Sequence, residues 1–186
     1  MPQMMTGKQA LLEMLKAEGV EYIFGNPGNS EGPIIDMLGD YPEFKYILAL
    51  QESVAVGMAE SYARATGTAS FVSLHVDSGL ANGIALMLDA HNTGTPMVVT
   101  SANYDARKIT EVKTDLAELV RPVTKWAVEL TLPDQIPGAI RRAFNEANSH
   151  PKGPVYVGFT SNALEDTADM NIIPSSKIHD SSRPGL

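Results

Sequence analysis

The chain has 186 residues, 44% of them hydrophobic, 19% charged and 6% aromatic, with 14 basic against 22 acidic residues for a net charge of −8. That length fits about one domain with enough apolar content to bury a core, and the acidic balance excludes a nucleic-acid footprint. The absence of cysteine excludes a disulfide scaffold, a thiol nucleophile and a cysteine-ligated metal, and no run approaches the ~18 apolar residues of a membrane span.

The start, Met1-Pro2-Gln3-Met4-Met5, lacks a basic segment followed by an apolar one. The expectation is therefore a soluble cytoplasmic domain without a secretory signal, Met4 and Met5 being terminal decoration. Leu11, Leu12 and Leu15 then recur at helical spacing between Lys8 and Lys16, with Thr6 as N-cap, Gln9 at the capping-box position and Gly19 as the stop. Tyr22-Ile23-Phe24 reads as a short buried strand ended by a turn at Gly25-Asn26-Pro27-Gly28. A short helix from Pro33 to Leu38 precedes a second strand, Tyr46 to Leu50, and a helix from Glu52 to about Ala65 stopped by Gly67.

Phe71 to Leu74 is a third strand, and Gly79 to Ala90 is apolar almost all round, the pattern of a helix covered on several sides. Met97 to Thr100, Trp126 to Leu130 and Val155 to Phe159 complete the strands, with a helix from Gln135 to Asn148 before the last. Short continuous apolar strands alternating with helices predict an α/β fold, a doubly wound, mainly parallel six-stranded sheet with helices on both faces. The domain is expected over 1–165. From Asp166 the pattern dissolves into Pro174-Ser175-Ser176 and Ser181-Ser182-Arg183-Pro184-Gly185, read as a linker, 166–186, toward a further domain.

The Gly-rich phosphate loops GxGxxG and GxxxxGK[ST] are missing, as is HExxH, and His75, His91, His150 and His179 show no metal-ligand spacing, so no metal site is expected in the chain. In doubly wound sheets ligands sit beyond the carboxyl ends of the strands. Gly25-Asn26-Pro27-Gly28-Asn29, Gln51-Glu52 and His75 fall at such ends.

Glu52 shares a helical stripe with Ala55, Val56, Ala59 and Ala63, whereas Glu60 and Arg64 form an (i, i+4) pair on another face. A carboxyl on that dry stripe favours its neutral, proton-donating form; the other reading is a solvated first-turn glutamate stabilised by the helix N-terminus. His75 suits either a proton shuttle or a hydrogen bond to a neighbouring loop. The Gly-Asn-Pro-Gly loop either lets a ligand approach the backbone or is a plain turn.

Several stretches, taken in order and spacing, carry a resemblance: Gly19-Val20-Glu21-Tyr22-Ile23-Phe24-Gly25-Asn26-Pro27-Gly28, Gln51-Glu52-Ser53-Val54-Ala55-Val56-Gly57-Met58-Ala59, Tyr62-Ala63-Arg64-Ala65-Thr66-Gly67, Leu74-His75, Gly79-Leu80-Ala81-Asn82-Gly83 and Lys152-Gly153-Pro154-Val155-Tyr156-Val157. Over about residues 4 to 165 the chain resembles the N-terminal, pyrimidine-binding domain of thiamine diphosphate-dependent 2-oxo acid decarboxylases and acetolactate synthase-like enzymes. Asn26-Pro27-Gly28 with Leu74-His75 is most similar to the benzoylformate decarboxylases.

The resemblance implies that Glu52 hydrogen-bonds N1′ of the cofactor's aminopyrimidine and activates it, with Asn26, Pro27 and Gly28 in the cofactor-binding loop. It implies that His75 is a substrate-side proton-transfer group. Asn29 takes the substrate-side position where the decarboxylases, matched without gaps, have a serine. In the family a Gly-Asp-Gly…Asn motif of another domain or subunit binds Mg²⁺ and the diphosphate; here Gly39-Asp40 is followed by Tyr41.

The resemblance therefore implies half an active site, completed by a second copy in a homodimer or homotetramer or by a separate diphosphate-binding subunit, and acting on a small 2-oxo acid. The leading expectation is a decarboxylase domain within a longer enzyme. The alternatives are a carboligase resembling acetolactate synthase, or the small subunit of a two-chain decarboxylase such as sulfopyruvate decarboxylase. Gly79 to Ala90 is expected at or near a subunit interface.

Overall fold

A computed structural model describes residues 2–108 and 113–175. In chain order they form β1 (Gln3–Thr6), α1 (Gly7–Ala17), β2 (Tyr22–Asn26), α2 (Gly32–Met37), β3 (Lys45–Leu48), α3 (Glu52–Thr66), β4 (Ser70–Leu74), α4 (Ser78–Thr93), β5 (Met97–Asn103), α5 (Leu116–Val120), β6 (Ala127–Leu130), α6 (Ile136–Asn148), β7 (Pro154–Thr160), α7 (Ser161–Glu165) and β8 (Thr167–Met170). The Thr6 hydroxyl caps α1 by accepting from the Gln9 N–H at 3.3 Å. Gln51 caps α3 in the same way, accepting from the Val54 N–H at 3.1 Å. Gly67, at φ 72°, ends α3 in the left-handed conformation that glycine adopts without strain.

Six strands form one parallel sheet in the order β3-β2-β4-β5-β7-β6, the doubly wound arrangement expected from the alternating pattern. Every residue of β4, β5 and β7 is buried, which is why those segments read as continuous apolar runs. Along the strands, Ile23, Phe71, Val98 and Val157 join the core under α1 and α6. The alternating residues Phe24, Val72, Val99 and Tyr156 join the core under α3, α4 and α5. Each fully buried side chain of this kind contributes about 1.5–3 kcal/mol, so tertiary burial rather than local propensity holds strands of four to seven residues.

One feature differs from the expectation. Met4 and Met5 are part of β1, which pairs antiparallel with β8 in the register Gln3↔Met170 to Thr6↔Thr167. The segment read as linker from Asp166 thus begins as a strand, with Met5 and Met170 buried and Ile172 and Ile173 packed on the same core. Each strand of this pair buries one methionine only, too little periodicity to register in the sequence; residues 176–186 of that stretch lie outside the described residues.

The expected (i, i+4) pair of Glu60 and Arg64 forms, and its acid is buried at 6% exposure. Arg64 reaches across from α3 to α4, donating to Glu60 Oε1 at 2.5 Å, to the Thr93 hydroxyl at 2.9 Å and to Thr95 at 3.2 Å. Arg64→Ala is expected to lower stability by about 1–2 kcal/mol, the range for hydrogen bonds to a half-exposed charge. A urea melt checks this, and an unchanged midpoint would show that the clamp carries no net stability.

Candidate active site

The strand order places β3 on one side of β2 and β4 on the other, so the chain reverses its winding direction there and opens a crevice beyond the carboxyl ends of β2 and β4. Asn26, the last residue of β2, is in register with Leu74, the last of β4. His75 follows immediately, and Glu52 is the first residue of α3. The fold therefore brings together residues far apart in sequence.

Glu52 is 7% exposed. The Asn26 Nδ2–H donates to its Oε1 at 2.9 Å, and the Asn82 Nδ2–H donates to its Oε2 at 3.2 Å. The glutamate opens the helix and is itself buried with the stripe, so it is not the solvated first-turn residue of the second reading. Asn82 comes from the second turn of α4, and Gly79 one turn earlier lets the helix come close: a Cβ there would lie 3.1 Å from Glu52 Oε1 and 2.8 Å from His75 Cβ. An asparagine amide offers N–H on one side and C=O on the other. A half-turn about Cγ would let either partner accept from a protonated carboxyl, so the same cradle serves both states of Glu52.

His75 and Gly28 meet directly, for a Cβ on residue 28 would lie 2.1 Å from His75 Nδ1. The imidazole is held by a residue that the sequence patterns did not single out. Glu31, 0% exposed, places Oε2 3.0 Å from His75 Nδ1. The same oxygen accepts from the Gly28 N–H at 3.0 Å, and Oε1 accepts from the Ala102 N–H of β5 at 2.9 Å. The Ser30 hydroxyl donates to the carboxylate at 2.9 and 3.0 Å and sits 3.1 Å from His75 Nδ1. Burial, and then the charge of Glu31, push the Tyr46 phenol well above its ordinary range, so it stays protonated.

Of the residues expected at this edge, Asn26 and Glu52 share a hydrogen bond, while Gly28 and His75 share Glu31 as partner. Pro27 is half-buried and fixes the loop backbone between Asn26 and Gly28. Asn29 is exposed and stands apart from this hydrogen-bonded group. Gly28-Asn29-Ser30-Glu31-Gly32 also has the G-x-S-x-G spacing of a nucleophile elbow. The geometry does not support that use: Ser30 and Glu31 approach the same imidazole nitrogen, whereas a hydrolytic triad puts serine and acid on opposite ring nitrogens.

No local pattern marks the missed residues: Glu31 accepts from the Gly28 N–H three residues earlier, but a glycine cap has no side chain to complete a capping box, and Asn82 is an ordinary exposed position of α4. Among the described residues no group of three or more histidines or acids is arranged to hold a metal ion, and no helix is long and apolar enough to cross a membrane.

Comparison with known proteins bears on this edge of the sheet. The family described as "Thiamine pyrophosphate enzyme, N-terminal TPP binding domain" matches residues 5–123. The chain is 37% identical to benzoylformate decarboxylase from Pseudomonas aeruginosa, across 83% of this chain and 30% of that protein. It is 34% identical to the mitochondrial acetolactate synthase catalytic subunit of Aspergillus candidus, across 94% of this chain and 27% of that one. Among solved structures, the thiamine diphosphate-dependent 4-hydroxybenzoylformate decarboxylase of Rhodococcus jostii RHA1 superposes with a TM-score of 0.83 at 32% identity, covering 90% of this chain and 32% of that one. The chain thus spans about a third or less of the length of each of these relatives.

Proposed function

The chain belongs to the thiamine pyrophosphate enzymes through their N-terminal TPP-binding domain, and from that premise we propose that it supplies the pyrimidine-facing half of the active site of a thiamine diphosphate-dependent 2-oxo acid decarboxylase similar to benzoylformate decarboxylase. One observation carries the reading: a buried carboxyl, Glu52, opens a helix at the switch point between two asparagine amides, with His75 beside it.

The donor set fits an aminopyrimidine. Glu52, itself 7% exposed, can hold or release a proton toward a ring nitrogen, and a hydrogen bond from a buried carboxyl is stronger than one in bulk water. Asn26 and Asn82 orient that carboxyl, and the missing side chain at Gly28 makes room for the His75 imidazole. What thiamine diphosphate supplies when bound is an electron sink for the carbon–carbon bond that breaks. His75 exchanges the proton on the substrate side as a 2-oxo acid, RCOCOO⁻, takes up one proton and yields RCHO and CO₂. Asn29 lines the substrate side in this reading, where an amide replaces the serine hydroxyl of the decarboxylases.

In this reading Mg²⁺ and the diphosphate belong to another domain or subunit, since Gly39-Asp40 is followed by Tyr41 and not by the glycine of the family's Gly-Asp-Gly motif. The partner is a second copy, in a homodimer or homotetramer, or a separate diphosphate-binding chain. It sits against α3 and α4, where Val54 and Leu88 are exposed and where Tyr22, Phe24, Ile47 and Met58 line an apolar groove. We place the enzyme in the cytoplasm, in keeping with a chain that carries no cysteine.

The test is the enzyme that carries this domain, supplied with thiamine diphosphate, Mg²⁺ and a panel of aromatic and aliphatic 2-oxo acids. Release of CO₂ with a free aldehyde supports the decarboxylase; joining of two 2-oxo acid carbons assigns the carboligase instead, and neither product overturns both. For the 186-residue chain by itself, calorimetry is expected to give a thiamine diphosphate Kd weaker than about 1 mM. Micromolar binding would contradict the half-site.

A further inference from the structure

We infer that Glu31 is the positioning residue that fixes which nitrogen of His75 carries the proton and which faces the substrate. The inference rests on the reading of His75 as the substrate-side group and extends it to a residue with no assigned role. Its support is the hydrogen-bond inventory around one carboxylate that is fully buried.

The Gly28 and Ala102 N–H groups can only donate, so they commit an acceptor site on each oxygen of Glu31. Ser30 has one hydroxyl proton and directs it at the same carboxylate, 2.9 and 3.0 Å away. Its oxygen therefore has only lone pairs to offer His75 Nδ1 at 3.1 Å. In its carboxylate form Glu31 has no proton to give, so Oε2 likewise offers only lone pairs to Nδ1 at 3.0 Å. Both groups in reach of Nδ1 are acceptors, and a ring nitrogen between two acceptors must itself carry the proton. The neutral imidazole consequently keeps its basic lone pair on Nε2, the nitrogen left free of Glu31 and Ser30.

The topology explains why this residue can do so. Glu31 follows β2, bonds the backbone of β5, and holds His75, which follows β4; the sheet order sets β4 between β2 and β5. One carboxylate thus bridges over the end of the middle strand and pins the imidazole from both neighbours. A buried acid used only to tie strand ends together would have no need of the ring.

Solid-state NMR of the whole enzyme labelled with [¹⁵N]histidine tests the inference, with His75→Ala identifying the resonance. The wild-type neutral ring is expected to show Nδ1 as N–H and Nε2 as the bare nitrogen; the reverse tautomer overturns the inference, with no need of a variant. In Glu31→Gln an amide can turn N–H or C=O toward Nδ1, and the Nε2–H form is expected to appear. In kinetics, Glu31→Gln is expected to lower kcat to within about threefold of His75→Ala, and the double variant to be no worse than His75→Ala alone.

Multiplying losses in the double variant would show that Glu31 acts independently of the ring and would overturn the inference. If His75→Ala retains full turnover, the substrate-side reading fails, and the wild-type tautomer still decides the role of Glu31 as proton-setter.

Discussion

Glu52→Gln, introduced into the enzyme that carries this domain, is expected to lower kcat by a factor of ~10²–10⁴, the span that positioned proton transfer contributes. Cofactor affinity is expected to change by less than about tenfold. Glutamine keeps the volume and the planar head of the side chain, and the asparagines that now donate to Glu52, Asn26 and Asn82, can each turn to satisfy an amide. What disappears is a proton that can be given or taken at this one position. Steady-state kinetics combined with a cofactor titration on the same protein separates the effects. Turnover within tenfold of wild type would remove Glu52 from the proton path, and loss of binding in step with turnover would reduce it to a cofactor anchor.

The legible and illegible parts of this site divide by the range of the interactions that make them. The stripe under Glu52 was legible because Ala55, Val56, Ala59 and Ala63 recur at helical spacing, and the structure buries it; the pattern alone still left Glu52 open as a solvated first-turn glutamate, and the family resemblance singled it out. The strand positions were legible for a related reason, since burial on both faces demands unbroken apolar runs. Glu31 has no such local signature. Its burial depends on the Ala102 N–H, contributed by a strand 71 residues away, and nothing near Glu31 in sequence announces that partner.

Asn82 is a similar case, an exposed residue of α4 that becomes a site residue only because α4 packs across α3. The (i, i+4) pair of Glu60 and Arg64 was legible locally and forms, but that it also clamps one helix to the next through Thr93 and Thr95 was not. The pair of strands β1 and β8 was missed because an antiparallel ribbon burying one side chain per strand carries almost no pattern.

Adding one methyl group at either of two glycines, Gly25 inside β2 and Gly28 in the loop that follows it, is expected to separate stability from function. At Gly25 a Cβ would lie 2.3 Å from the Ser73 carbonyl oxygen and 2.2 Å from the Tyr46 hydroxyl. Ser73 belongs to the neighbouring strand β4 and Tyr46 to β3 on the other side, so relief requires the centre of the sheet to move. Gly25→Ala is expected to cost about 3 kcal/mol, the upper end of overpacking penalties, and to lower Tm by roughly 6–12 °C for a domain of this size.

At Gly28 the backbone, φ −117° and ψ −162°, is open to alanine. The obstacle there is the His75 imidazole at 2.1 Å, the end of a side chain that can rotate aside. Gly28→Ala is therefore expected to shift Tm by no more than about 3 °C, yet to lower kcat by at least ~10²-fold, because relief of the clash takes Nδ1 away from Glu31. Thermal melts and kcat measured on both variants check the pair. Equal losses of stability at the two positions would mean that the imidazole is as immovable as the sheet, and full activity in Gly28→Ala would mean that the orientation held by Glu31 is not the one the reaction uses.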